Sequence, residues 1–162
     1  MNAEPGSSSL DIALQRAATG WPRAVNAAFA RRVAGAVAAE TGLRGEATVL
    51  LADDEALRAM NARFRGKDRP TNVLSFPAAG SAGPTYLGDI ALALQTVARE
   101  AAEQEKTVTD HIAHLIVHGV LHLAGHDHGE ERQAEAMEAL ERRILAALGI
   151  ADPYDGELAA AS

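Results

Sequence analysis

Apolar positions along the chain fall into short β-like runs in its first half and into helical spacings in its second. Leu10-Asp-Ile-Ala-Leu14 alternates apolar with small or polar residues and predicts a strand. After Trp21-Pro22, Val25, Phe29, Val33 and Val37 recur four apart and stop before Gly42. That pattern predicts an amphipathic helix with proline near its first turn and glycine past its end. Thr48 to Ala52 is a continuous strand-like run, and Asp53 or Asp54 caps a short helix through Ala62. Arg63 to Thr71 reads as a polar loop, Val73 to Phe76 as a strand stopped by Pro77, and Gly88 to Ala93 as a fourth strand. Gln95 to Lys106 is a helix, and Thr109 or Asp110 begins another that stops at Gly125. A last helix starts near Glu130, with Met137, Leu140, Ile144 and Leu148 on one face and Gly149 as its stop. The prediction is a single mixed α/β domain over residues 10–155, about four strands and about five helices, between flexible ends at 1–9 and 156–162.

Composition narrows the classes. The chain has 162 residues, enough for one domain with a real core, and 15 basic against 22 acidic residues give a net charge of −7. It has no cysteine, which excludes disulfides, iron–sulfur clusters and thiolate zinc sites. No stretch approaches the roughly 18 apolar residues that span a bilayer. Met1 to Ser9 lacks the basic and apolar regions of a secretion signal, so the expected compartment is the cytoplasm. The acidic balance argues against broad, charge-driven nucleic-acid binding. One local exception stands out: Arg63, Arg65, Lys67 and Arg69 place four cations within seven residues, opposed only by Asp68. A solvated charged loop accounts for such a cluster as readily as a phosphate-binding one.

Histidine is distributed unevenly. His111, His114, His118, His122, His126 and His128 are all six of the chain's histidines, and they fall within 18 residues. His118 and His122 lie four apart on a predicted helix, so both imidazoles share one face. Gly125 ends that helix, and the turn through His126 and Asp127 can return His128 to the same point. Three imidazoles leave a tetrahedral zinc with one open position, the arrangement of catalytic sites. The spacing His118-x3-His122-x2-Gly125-x2-His128 equals that of the metzincin motif, glycine included. A lone histidine is usually solvated or bonded within a core, but three at this spacing point to one metal ion. His114 is assigned to packing or to hydrogen bonding behind a ligand, His111 to the surface, and His126 to the lining of the site. Zincin proteases carry a glutamate base directly after the first histidine; here that residue is Gly119, which disfavours peptide hydrolysis.

The motif His118-Gly-Val-Leu-His-Leu-Ala-Gly-His-Asp-His128 resembles that of the YbeY family of endoribonucleases and rRNA maturation factors. Asn61-Ala-Arg-Phe-Arg-Gly-Lys-Asp-Arg-Pro-Thr-Asn-Val-Leu-Ser-Phe-Pro77 is similar to the family's second signature. Leu87-Gly-Asp-Ile90, Met137-Glu-Ala-Leu-Glu141 and Leu148-Gly with Asp152-Pro-Tyr154 also fit, so the resemblance covers about residues 46 to 155. His126 stands where the family commonly has tyrosine and Asn72 where an aspartate is often found, so neither of those roles is carried over. The resemblance implies a zincin-like fold with its metal site on a helix and the following turn. It also implies one Zn2+ on His118, His122 and His128, and single-strand-specific cleavage in the maturation of the small-subunit rRNA 3′ end. The implied partners are single-stranded RNA, the small ribosomal subunit and its assembly factors, with neither membrane nor DNA.

Arg65 is the cation best suited to the scissile phosphate, by its match to the second signature and because guanidinium grips two oxygens at once. Thr71 and Ser75 are alternative backbone contacts, more ordinarily structural. Asp127, His126 and hydroxide on the metal remain open as the base. Two rival readings are a zincin-type metalloprotease and a non-catalytic ribosome-assembly factor in which zinc only supports the fold.

Overall fold

A computed structural model describes residues 9–67, 71–78, 85–126 and 130–154. Asp127 and His128, with Asp68, Arg69 and both chain ends, lie outside the described residues, as do the predictions that concern them. The order of elements is β1 (Leu10–Arg16), α1 (Ala27–Thr41), β2 (Gly45–Ala52), α2 (Asp54–Arg65), β3 (Val73–Pro77), β4 (Tyr86–Ala93), α3 (Leu94–Glu103), α4 (Val108–Leu123) and α5 (Glu131–Ala147). The four strands form one sheet in the order β1-β2-β4-β3. β1, β2 and β4 run parallel, whereas β3 returns antiparallel along β4, setting Ser75 opposite Ile90 and Phe76 opposite Asp89.

The strand period of two divides the core. Val49, Leu51, Ile90 and Leu92 face the main cluster, where Ile112, Ile116 and Val120 of α4, Phe29 and Val33 of α1, and Ile144 and Leu145 of α5 meet them. The alternate residues Ala52, Ala91 and Ala93 face a smaller cluster with Leu57 and Met60 of α2. Burying each of the larger side chains contributes about 1.5–3 kcal/mol, and α4 supplies many of them. The helix that carries the histidines is thus anchored in the centre of the domain. It approaches the sheet closely at Gly119, where an added Cβ would lie 2.9 Å from Ile90 Cδ1.

Several boundaries differ from expectation, three of them with an identifiable local cause. The first helix starts at Ala27, not near Pro22, because Asn26 Oδ1 caps it by accepting from Phe29 N–H at 3.0 Å. The preceding segment is tied down by the Trp21 indole donating to the Ala52 carbonyl and by Arg16 donating to the Val25 carbonyl. Helix α2 does not end at Ala62: Arg63, Phe64 and Arg65 form its last turn, and Gly66 at φ 67° closes it. What the sequence presents as the start of a polar loop is therefore fixed on a helix. Helix α4 begins earlier than Thr109, with the Thr107 hydroxyl accepting from Asp110 N–H at 3.1 Å. Among the described residues no helix is long and apolar enough to cross a membrane.

Candidate active site

Helix α4 sets His111, His114, His118 and His122 along one side, with ring centroids 6.2, 6.4 and 4.6 Å apart in turn. The last pair converges most closely, with Nε2 of His118 and Nε2 of His122 separated by 3.1 Å. Two imidazole nitrogens bound to one tetrahedral zinc stand about 3.3 Å apart, given bonds of about 2.0–2.1 Å. The two rings are therefore placed as a metal ion requires. Among the described residues no group of three or more such ligands surrounds them. Gly125 at φ 98° turns the chain after α4, and the exposed His126 donates its backbone N–H to the Leu121 carbonyl at 3.0 Å. The following two residues, Asp127 and His128, lie outside the described residues.

The sequence reading missed the group that orients His118. Glu141 of α5 is fully buried, and its carboxylate accepts from His118 Nδ1 at 2.8 Å, from His114 Nε2 at 2.9 Å and from the Tyr154 hydroxyl. A carboxylate only accepts, so the neutral His118 ring carries its proton on Nδ1 and turns a bare Nε2 towards His122. Burial by itself would raise the Glu141 pKa. The hydrogen bonds from His114, His118 and Tyr154 outweigh that and hold it down at about 2. A signal was present in the sequence: Glu141 stands four residues after Met137 and three before Ile144, on the apolar face of its helix. A charge in that phase is buried unless the helix is misread, and a buried charge needs partners. His114 has the supporting role assigned to it.

His111 is not at the surface. It is 3% exposed, and its Nε2 pairs with Glu100 Oε1 of α3 at 2.8 Å. Glu100 also accepts from the Asn72 side-chain amide at 2.9 Å. Burial lowers the His111 pKa, against the pull of Glu100 in the other direction. The helical phase places His111 on the histidine face, and α3 packs against that end of α4.

Across from the histidines, Arg65 leaves the last turn of α2 and donates to the Ser75 carbonyl at 2.7 Å. Arg65, Asn72, Ser75, His118 and His122 all line one cavity of about 400 Å³. Arg65 is exposed, and among the described residues no carboxylate pairs with it. Arg63 and Lys67 are exposed on the same stretch, whereas the Thr71 hydroxyl bonds locally to the Val73 carbonyl. The site thus joins a pair of converging imidazoles to a permanent cation over a shared cleft.

Comparison with known proteins gives a consistent answer. The family described as endoribonuclease YbeY matches residues 15–149. A protein named endoribonuclease YbeY from a Chelativorans species is 49% identical over 161 residues, covering 95% of this chain and 99% of its own. Another of that name from Rhodopseudomonas palustris is 56% identical over 129 residues, covering 76% of this chain and 67% of its own. The solution structure of a Thermotoga maritima target protein aligns at a TM-score of 0.56 with 25% identity, covering 86% of this chain and 91% of that one.

Proposed function

The chain belongs to the endoribonuclease YbeY family, a family of hydrolases acting on RNA, and from that premise we propose that it cleaves single-stranded RNA in the cleft between Arg65 and the His118–His122 pair. The processing of small-subunit ribosomal RNA in the cytoplasm, with the subunit and its assembly factors as partners, is part of the same proposal. The observation that carries the reading is that both Nε2 atoms converge, 3.1 Å apart, on the cavity that Arg65 enters.

The donors present fit a zinc ion: two imidazoles converge at a suitable separation, and a carboxylate fixes the tautomer of one. His118 and His122 would hold it, and His128, three residues after Gly125 in the sequence, is the proposed third ligand. Bound there, zinc supplies Lewis acidity for phosphodiester hydrolysis. The chain's own groups do the positioning. Glu141 keeps the His118 ring in one orientation, and His114 and Tyr154 keep Glu141 in place. The Ser75 carbonyl holds one guanidinium nitrogen of Arg65, which leaves the rest of the fork for phosphate oxygens. As charge develops on those oxygens, a fixed cation stabilises it without reorganising.

The protease alternative is disfavoured on steric as well as chemical grounds. Gly119 packs directly on Ile90, so a side chain at the position where a zincin base would stand has to displace the Ile90 side chain.

Single-turnover cleavage of a single-stranded RNA, with metal content measured alongside, tests the reading. Arg65→Ala should keep its zinc and melting temperature and lose on the order of 10²–10³ in rate. Arg65→Lys should recover little, because a point charge cannot reproduce the fork. Chelation should abolish cleavage while helical circular dichroism persists. Near-normal cleavage by Arg65→Ala removes that residue from the chemistry, and cleavage that survives chelation removes the metal.

A further inference from the structure

Phe64 is the one exposed large hydrophobic side chain among the described residues, at 61%. It continues the stripe of α2 that includes Leu57 and Met60, one turn beyond the last residue the core covers. A single exposed phenylalanine needs no explanation; the surroundings of this one call for one. Its ring meets Phe76 edge to face with centroids 5.5 Å apart. The guanidinium of Arg63 lies 5.3 Å from the Phe64 centroid, and that of Arg65 lies 5.8 Å from the Phe76 centroid. Both rings line a cavity of about 450 Å³ on the α2 side of the sheet, together with Leu50, Met60, Thr48 and Asp89. Arg65, whose guanidinium lies against the Phe76 ring, also lines the histidine cleft, so one side chain stands beside both.

We propose that Phe64 and Phe76 form a stacking site for one unpaired nucleobase of the RNA, beside the cleft that receives the scissile phosphate. The inference rests on the reading of the chain as an endoribonuclease. A flat apolar ligand suits the paired rings, because unpaired bases stack on aromatic and guanidinium planes. The charges on the two sides sort the ligand's parts. Asp89 on the cavity wall repels phosphate, whereas Arg63 and Arg65, set against the two rings, attract it. A base therefore enters and its phosphates stay at the arginines. Thr48 and Asp89 offer polar contacts to the edge of that base. Arg65, set between the Phe76 ring and the histidine cleft, makes the occupant part of the same strand.

The test is equilibrium binding of a labelled, unstructured RNA oligomer to metal-loaded protein, read before wild type cuts it, with each base in turn replaced by an abasic residue. Wild type should lose about 5- to 100-fold in affinity at one abasic position near the mapped cut. Phe64→Ala should bind the intact RNA about as weakly and be indifferent to that position. Phe64→Trp should restore the base dependence and Phe64→Leu should not, since bulk without a π-face cannot stack. The salt dependence should fall for Arg65→Ala and stay unchanged for Phe64→Ala. The abasic series on wild type needs no variant to fold. Absence of any sensitive position overturns the stacking site, as does a Phe64→Ala protein that keeps the sensitivity or a Phe64→Leu protein that restores it. Base-dependent binding without cleavage would instead overturn the endoribonuclease reading and leave the stacking site standing.

Discussion

Replacing Glu141 perturbs the site without touching any proposed ligand. Its carboxylate is the acceptor for two ring N–H groups and one hydroxyl, all at least partly buried. Glu141→Leu strands three donors at about 1–3 kcal/mol each, about 3–9 kcal/mol together, against a typical domain stability of about 5–15 kcal/mol. Glu141→Gln keeps the shape and one acceptor oxygen but turns an NH2 group on one donor, so a loss of about 2–4 kcal/mol is expected. The acidity of Glu141 expresses the same three contacts as a pH dependence. A carboxyl held at about 2 instead of its ordinary 4.5 corresponds to about 3 kcal/mol of folding stability. Its folded pKa lies below its unfolded one. The contribution is therefore complete above pH 4.5 and is lost as the pH falls from there towards 2. Urea unfolding of the chelated protein from pH 7 down to pH 3 should show this acid limb in wild type and a flattened one in Glu141→Gln. Zinc affinity, measured by competition with a chromophoric chelator, should fall 10- to 100-fold in Glu141→Gln as the His118 ring loses its fixed orientation. An unchanged affinity and an unchanged acid limb would refute the role assigned to Glu141, and so would a Glu141→Leu protein more stable than wild type.

Three other outcomes are expected. Burial holds the His111 pKa below its ordinary 6.5 despite Glu100, so the unfolded chain takes up a proton that the folded one refuses. Stability is then full above pH 6.5 and declines below it, and a melting-temperature profile should lose that decline in His111→Gln; a profile that keeps it contradicts the assignment. Gly119→Ala should cost about 1–3 kcal/mol by pressing on Ile90, and Gly119→Glu should fail to fold rather than gain peptidase activity; a stable Gly119→Glu protein would show that the helix yields there. His122→Ala, purified without added metal or an affinity tag, should lose its stoichiometric zinc, and a retained full equivalent at neutral pH would remove His122 from the metal site.

The elements that strong periodicity and caps encode were legible in the sequence. The strand at β2, the Asp53 cap and the glycine stop after α1 follow from local rules, and the structure places them there. The convergence of His118 and His122 follows from their spacing on one helix. What could not be read was information held by contacts between distant segments. The charges of Arg63 and Arg65 suggest a loop, but no breaker precedes Gly66, and α2 runs on to Arg65. His111 has the helical phase of its neighbours, and nothing near it in the chain announces that Glu100 supplies its partner. Glu141 was legible in principle, as a charge in an apolar phase, but its three hydrogen-bond donors come from elsewhere in the chain.

The order in which these parts appear along the chain has a consequence for synthesis. A growing polypeptide is made from its amino end, so Arg65 emerges first, then His118 and His122, and only afterwards Glu141 and Tyr154. Until α5 has folded back against α4, the His118 ring lacks its Glu141 acceptor. The unfinished protein carries its basic turn and its histidine helix while still surrounded by the RNA of the machine that makes it, yet lacks the carboxylate that orients His118. The position of one carboxylate near the end of the chain thus makes the orientation of His118 wait for the docking of the last helix.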